Sequence, residues 1–313
     1  MSETSARTDG EPNASPGNAG SSRQALNRGR ILICIAALLW STSGLFAKAP
    51  IFDAWPEEVR GALFAFWRAT FAAGILLLLV RRIQWSWKLI PTALIFAAMN
   101  WTYLSALVYS EATLAIWLQY TSPAWVFLFG LFVLREKQTV RDWILLAFAV
   151  GGLSVILFAL ISGANPIGIG WGMLAGVTFA AVVISLRWCR EFDPAWLIFL
   201  NHVATAFLFF PVMLNSNIYP AGSQWLYLIA FGSLQMGIPY VLFTRAMKTV
   251  TSHEAAGLSL LEPLLVPVWV FVAWSSSPEY EPPAVTTIAG GALILTGLVI
   301  RYWPMRLSSR KPE

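Results

Sequence analysis

Ten stretches of apolar residues separated by short polar gaps dominate the chain from Ile31 onward. They run from Ile31 to Ala47, Val59 to Val80, Leu89 to Tyr109, Ala112 to Leu134 and Trp143 to Ile161, then from Gly168 to Leu186, Ala195 to Leu214, Gln224 to Thr244, Glu254 to Ala273 and Ala284 to Tyr302. At about 1.5 Å per residue, a helix of this length crosses a hydrocarbon layer of roughly 30 Å. A helix also satisfies its own backbone polar groups, which lipid cannot do. The pattern predicts an all-α polytopic membrane protein with ten transmembrane helices.

Charge adds an orientation. Of the 21 Lys and Arg residues, all but Lys48, Arg60 and Arg68 fall in the two tails, at Arg301 where the tenth stretch meets its tail, and in alternate gaps, the ones holding Arg81, Arg82 and Lys88, then Arg135, Lys137 and Arg141, then Arg187 and Arg190, then Arg245 and Lys248. The intervening gaps carry Asp53 and Glu57, Glu111, no charge, or Glu279 and Glu281. Basic residues near span ends stay on the cytoplasmic side, so both termini are expected there, in a multi-pass protein of the plasma (inner) membrane.

The chain also repeats itself. One offset of about 140 residues relates Lys48 to Arg187, Ala106 to Ala246, Pro123 to Pro263, and Gly151-Gly152 to Gly290-Gly291. Five spans per copy is an odd number, so the second copy starts on the opposite face and the two five-helix repeats are inverted. Such symmetry is typical of alternating-access carriers with a midplane site between the repeats. The expected divisions are a disordered tail over 1–30, a first repeat over 31–161, a second over 162–302 and a tail over 303–313. The low apolar content and the Ser, Gly, Asn and Pro of the first 25 residues suggest that disorder.

Composition agrees with a lipid-embedded chain: 57% hydrophobic and 12% charged residues would leave a soluble fold short of polar surface. A pI near 9.4 raises nucleic acid as a partner, but the basic residues are dispersed over loops and tails, which argues against it. Trp55, Trp85, Trp87, Trp143, Trp171, Trp225, Trp274 and Trp303 lie near span ends, where the ring anchors at the headgroup level. Two cysteines, Cys34 and Cys189, make neither a disulfide framework nor a zinc cluster. No cofactor or metal is expected.

Several segments resemble a known family. Ala37-Leu-Leu-Trp40-Ser41-Thr-Ser-Gly44, Arg68 in the second span, Tyr120-Thr-Ser-Pro123 with Leu134-Arg-Glu136, and Leu261-Glu262-Pro263 are together similar to the drug/metabolite transporter superfamily in its EamA-type ten-helix form. The resemblance runs from Ile31 to Tyr302 and departs after the ninth span, where Glu279 and Glu281 stand without a copy of Leu-Arg-Glu. It implies a secondary transporter of small metabolites, amino acids or drug-like compounds, often acting outward.

The polar residues within the spans supply candidate site residues independently. Arg68 and Glu262 both lie deep in their helices, where a bare charge costs about 2.5–3.5 kcal/mol, so each should face protein or water and the two invite pairing. The two residues lock two helices, or contact substrate or a proton, or never meet, and Glu262 is the candidate for proton coupling. Asn100, Gln119, Asn201, His202 and Gln235 also need partners or water. Tyr103 shares a face with Asn100, and Trp117 with Tyr120. The expected lining is Trp40, Arg68, Asn100, Tyr103, Gln119, Tyr120, Asn201, Gln235 and Glu262. The hydroxyls of Ser41, Thr42 and Ser43 are expected to bond back to carbonyls one turn earlier. Gly172 and Gly176 have the four-residue spacing of close helix contacts, which also serves contact between two copies in a homodimer.

Two other classes remain at this stage, an intramembrane enzyme and a membrane scaffold or receptor. For Ser43-Gly44 the single intramembrane histidine is His202 and nothing else supports their pairing, Asp9, Asp53, Asp142 and Asp193 are too scattered to hold magnesium, and no GxxxxGK[ST] loop occurs. A scaffold would not account for the inverted duplication. The chain reads as a carrier of a small organic solute.

Overall fold

The computed structural model describes residues 16–47, 49–274 and 284–302. Among these residues are fourteen α-helices: α1 (Pro16–Trp40), α2 (Ser43–Ala47), α3 (Glu57–Leu77), α4 (Leu89–Tyr109), α5 (Ala112–Gln119), α6 (Ser122–Phe132), α7 (Val140–Leu160), α8 (Pro166–Trp188), α9 (Pro194–Ser216), α10 (Gln224–Gly232), α11 (Ile238–Ala246), α12 (Ser252–Ser259), α13 (Leu261–Trp274) and α14 (Val285–Tyr302). Among the described residues nine segments are long and apolar enough to span a membrane. The remaining expected span, Glu254 to Ala273, occurs as α12 followed by α13. Lys48, Glu279, Glu281 and the tail over 303–313 lie outside the described residues.

Packing between the two halves is reciprocal. α4 of the first half lies on α8 of the second and α1 on α11, while α3 lies on α9 and α7 on α14. The third span of each repeat therefore contacts the first span of the other, and second meets second and fifth meets fifth. That is the arrangement an inverted pseudo-two-fold produces. Gly152 and Gly290 make the last of these contacts close: a Cβ on Gly152 would stand 2.5 Å from the Gly290 carbonyl oxygen. Gly172 and Gly176 are occupied within the chain, facing Leu118 and Thr121 at the end of α5.

Several spans that read as continuous are interrupted, and the residues show why. α5 stops at Gln119 and α12 at Ser259, which are the residues whose carbonyls the rings of Pro123 and Pro263 would strike in an unbroken helix. A further proline, Pro239, follows a single π turn over Ser233–Gly237 that separates α10 from α11. The break between α1 and α2 needs no proline. There Ser41 Oγ donates to the Leu38 carbonyl and Thr42 Oγ1 to the Leu39 carbonyl, both at 2.7 Å, competing with the ladder as anticipated for these hydroxyls.

The N-terminal expectation needs correction. The helix begins at Pro16, so the part of the anticipated tail from Pro16 to Arg30 is helical, while residues 1–15 lie outside the described residues. Extending a helix adds one hydrogen bond per residue fixed and avoids the cost of a new nucleus, so a poorly apolar segment continues the first span. Tertiary contacts hold it: Gly29 packs on Thr249 and Val250, and Arg30 Nε pairs with Glu254 Oε1 at 2.7 Å.

Candidate functional site

The interrupted helices place their breaks around one small polar cavity. It is lined by Trp40, Arg68, Met99, Tyr103, Gln119, Phe179, Gln235, Met236, Tyr240 and Glu262, and encloses about 280 Å³. The gap at its centre holds little more than about one water.

Each charged group has its own partners. Arg68, 1% exposed on α3, donates from Nη1 to Gln235 Oε1 at 3.3 Å and from Nη2 to Asn100 Oδ1 at 2.5 Å. Its guanidinium also stands 4.8 Å from the centre of the Phe231 ring. Asn100 Nδ2 donates to the Phe96 carbonyl and Gln235 Nε2 to the Trp40 carbonyl, which fixes both amides with their oxygens toward Arg68. Two hydrogen bonds to a charged donor contribute about 1.5–3 kcal/mol each, and a desolvated ring contact adds about 2. That exceeds the insertion cost of roughly 2.5–3.5 kcal/mol, so the cation is tolerated without a carboxylate.

Glu262 is held differently. Its Oε2 accepts from the Tyr120 hydroxyl at 2.5 Å, across from the break between α5 and α6. Among the described residues no ion pair joins Glu262 to Arg68, so of the alternatives open in the sequence the one without direct pairing holds, although both residues face the same cavity. The amide oxygens of Asn100 and Gln235 take the place of the carboxylate on Arg68. Two further hydrogen bonds tie the broken first span to the wall: Ser43 Oγ with the Tyr103 hydroxyl at 2.8 Å, and Trp269 Nε1 donating to Ser41 Oγ at 2.6 Å.

Of the nine residues expected to line a site, Trp40, Arg68, Tyr103, Gln119, Gln235 and Glu262 do so, Asn100 through Arg68 and Tyr120 through Glu262 stand directly behind the wall, and Asn201 does not reach it. Asn201 and its neighbour His202 on α9 are 0% exposed, and their side-chain polar atoms have no hydrogen-bond partner among the described residues. His202 instead sets its ring edge-on to Phe96 at 4.9 Å.

Met99, Phe179, Met236 and Tyr240 were missed. The first three are apolar and indistinguishable in sequence from packing residues. Tyr240 follows Gln235 by five positions, a spacing that leaves one face of a regular α-helix; the i→i+5 turn between them accommodates it. Tyr240 and Trp40 meet at a tilt of 59° with ring centres 4.7 Å apart, and Trp40 meets Phe179 edge-on at 6.2 Å. The cavity thus has a cationic wall, an acidic wall and an aromatic floor, a combination suited to a small organic solute with both polar and apolar parts.

Residues 27–158 and 166–303 each match the EamA-like transporter family. An uncharacterized transporter of Archaeoglobus fulgidus is 27% identical over 202 residues, which cover 64% of this chain and 71% of that one. The uncharacterized transporter YxxF of Bacillus subtilis is 25% identical over 211 residues, 64% of this chain and 67% of its own. A crystal structure superposes with a TM-score of 0.70 over 87% of this chain and 97% of its own at 20% identity, a likeness of fold alone. With two matched segments that together span most of its length, this multi-pass membrane protein belongs to the EamA-like transporter family.

Proposed function

We propose that the chain is a secondary carrier that moves a small organic metabolite, amino acid or drug-like solute out of the cell by alternating access, with Glu262 coupling the movement to protons. The observation that carries this reading is the convergence of interrupted helices from both repeats on one cavity that holds Arg68 and Glu262 on separate walls. Helix ends and freed carbonyls at mid-depth are tolerated where they line a cavity, and they give a substrate both polar contacts and a hinge. The present gap is too small for a metabolite, so loading requires the breaks at Ser41–Thr42, Tyr120–Thr121 and Leu260 to bend.

The alternating basic gaps support a plasma-membrane protein with both termini in the cytoplasm. A carrier also accounts for the duplication, which an enzyme or a scaffold would not require. The test begins with substrate discovery. Extracellular metabolites are compared between cells with and without the chain, and any hit is measured as flux in proteoliposomes with and without a proton gradient. Gradient-dependent flux lost in Glu262→Gln supports the reading; equal flux with and without protein removes it.

A further inference from the structure

The end of the bundle that carries the basic gaps is joined by a second charged cluster, separate from the central cavity. His253, 9% exposed in the first turn of α12, stands with Nδ1 3.2 Å from Oε2 of Glu136, beyond α6, and Nε2 3.5 Å from Oδ2 of Asp142 on α7. Thr251 Oγ1 is also within 3.2 Å of Nε2. Behind the carboxylates stand two arginines: Arg187 of α8 on Glu136 at 3.3 Å, and Arg301 of α14 on Asp142 at 2.6 Å. From α1, Arg30 pairs with Glu254 of α12, and the Tyr302 ring lies beside both Arg30 and Arg301. Glu136 and Asp142 come from the first repeat and His253, Arg187 and Arg301 from the second, so the cluster bridges the seam that must part if this end opens.

A neutral imidazole has one donor nitrogen and one acceptor, whereas an ionised carboxylate only accepts. With an acidic oxygen at each ring nitrogen, the neutral ring holds Glu136 or Asp142 and presents a lone pair to the other. The imidazolium holds both. The carboxylates themselves are poor places for the proton. Burial pushes Glu136 up, but hydrogen bonds from His253 and from the Ser252 hydroxyl and backbone N–H outweigh it and hold the carboxyl at about 2. Asp142 keeps Arg301 and the Thr139 hydroxyl and N–H.

We infer that His253 is a proton-binding site whose protonation clamps the two repeats together at the basic end, so that closing this end takes up a proton and opening it releases one. The clamp stands on geometry alone, while its use in a transport cycle rests on the carrier reading above. Because the imidazolium holds both carboxylates and the neutral ring only one, closure is favoured by acid and weakened as pH rises.

The test reads conformation and needs no substrate. Spin labels are placed by Lys137→Cys and Lys248→Cys, exposed positions on opposite repeats at this end, in full-length chain carrying Cys34→Ser and Cys189→Ser and held in lipid nanodiscs. Between about pH 5.5 and about pH 8.5 the population at longer distance is expected to rise about tenfold, within the usual range of coupling between a bound ligand and a conformational change. His253→Gln should show the open distribution at both values and His253→Lys the closed one. A pH response that survives in either variant, or no response in the parent, overturns the proposal. If His253→Gln fails to reach the membrane, His253→Lys decides alone. Absence of flux in liposomes would remove the carrier reading and leave this result standing.

Discussion

Tyr120 and Glu262 meet across the two repeats, hydroxyl to carboxylate at 2.5 Å, with Tyr120 in the break after α5 and Glu262 in the first turn of α13. The bond joins the two proline-induced interruptions to each other, so a change at Glu262 is felt at the hinge of the other repeat. Glu262→Gln keeps an oxygen that can accept from Tyr120 while removing the charge. The expected outcome is normal membrane abundance with loss of proton-gradient-dependent flux. Unchanged coupling in proteoliposomes would take Glu262 out of the mechanism.

Arg68 offers a separation of site from scaffold. Arg68→Gln strips the cation and leaves the Asn100 and Gln235 amide oxygens to find new partners, at about 1–3 kcal/mol for each that stays unpaired. Arg68→Lys retains the charge but has no planar fork to reach both amides at once. Transport is expected to fall at least about tenfold in both variants, the effect of losing about 1.4 kcal/mol of binding, with membrane abundance retained in Arg68→Lys. Loss of abundance in both, read by immunoblot of the membrane fraction, would assign Arg68 to locking α3 against α4 and the π turn.

The spans were legible in the sequence because lipid imposes length and apolarity on a helix, and the repeat because it recurs at one offset. The polar wall was legible for the same reason: Arg68, Gln119, Gln235 and Glu262 stand out in spans where every polar group needs a partner. Asn201 satisfied that rule in sequence and still lies off the cavity, since the pattern locates depth in the membrane and not the direction a helix faces. Pro123 and Pro263 are visible in the sequence, although the spans that hold them read as continuous; the Ser41–Thr42 break, made by side-chain hydroxyls, and the helix from Pro16, held by Glu254 and Thr249, depend on contacts that no local pattern contains. His253 went unnoticed because Glu136 and Asp142 approach it only after folding.

The glycine contact between α7 and α14 sets up a paired comparison. A side chain at Gly152 would meet the Gly290 backbone at 2.5 Å, and backbone cannot swing aside as a side chain does. Gly152→Val is expected to cost about 1–3 kcal/mol or more by overpacking. Its neighbour Gly151 has nothing within 4 Å of an added Cβ and sits inside the same helix, so Gly151→Ala should be neutral or stabilising by up to about 1 kcal/mol. Thermal unfolding in detergent compares the two; equal losses would mean that the α7–α14 contact is not set by the Gly152–Gly290 approach.

Glu136 supplies a pH dependence with a definite sign. Its carboxyl is held at about 2, below an ordinary value of 4.5, because the hydrogen bonds from His253 and Ser252 outweigh burial. A carboxyl depressed in the folded state contributes stability that is complete above its unfolded value and vanishes as pH falls through its folded one. Glu136→Gln lacks that contribution at every pH. The gap in unfolding temperature between parent and variant should therefore be present at about 4.5 and should close as pH falls from there toward about 2. A gap that stays constant down the acid limb would mean that Glu136 stabilises the seam by shape rather than by charge.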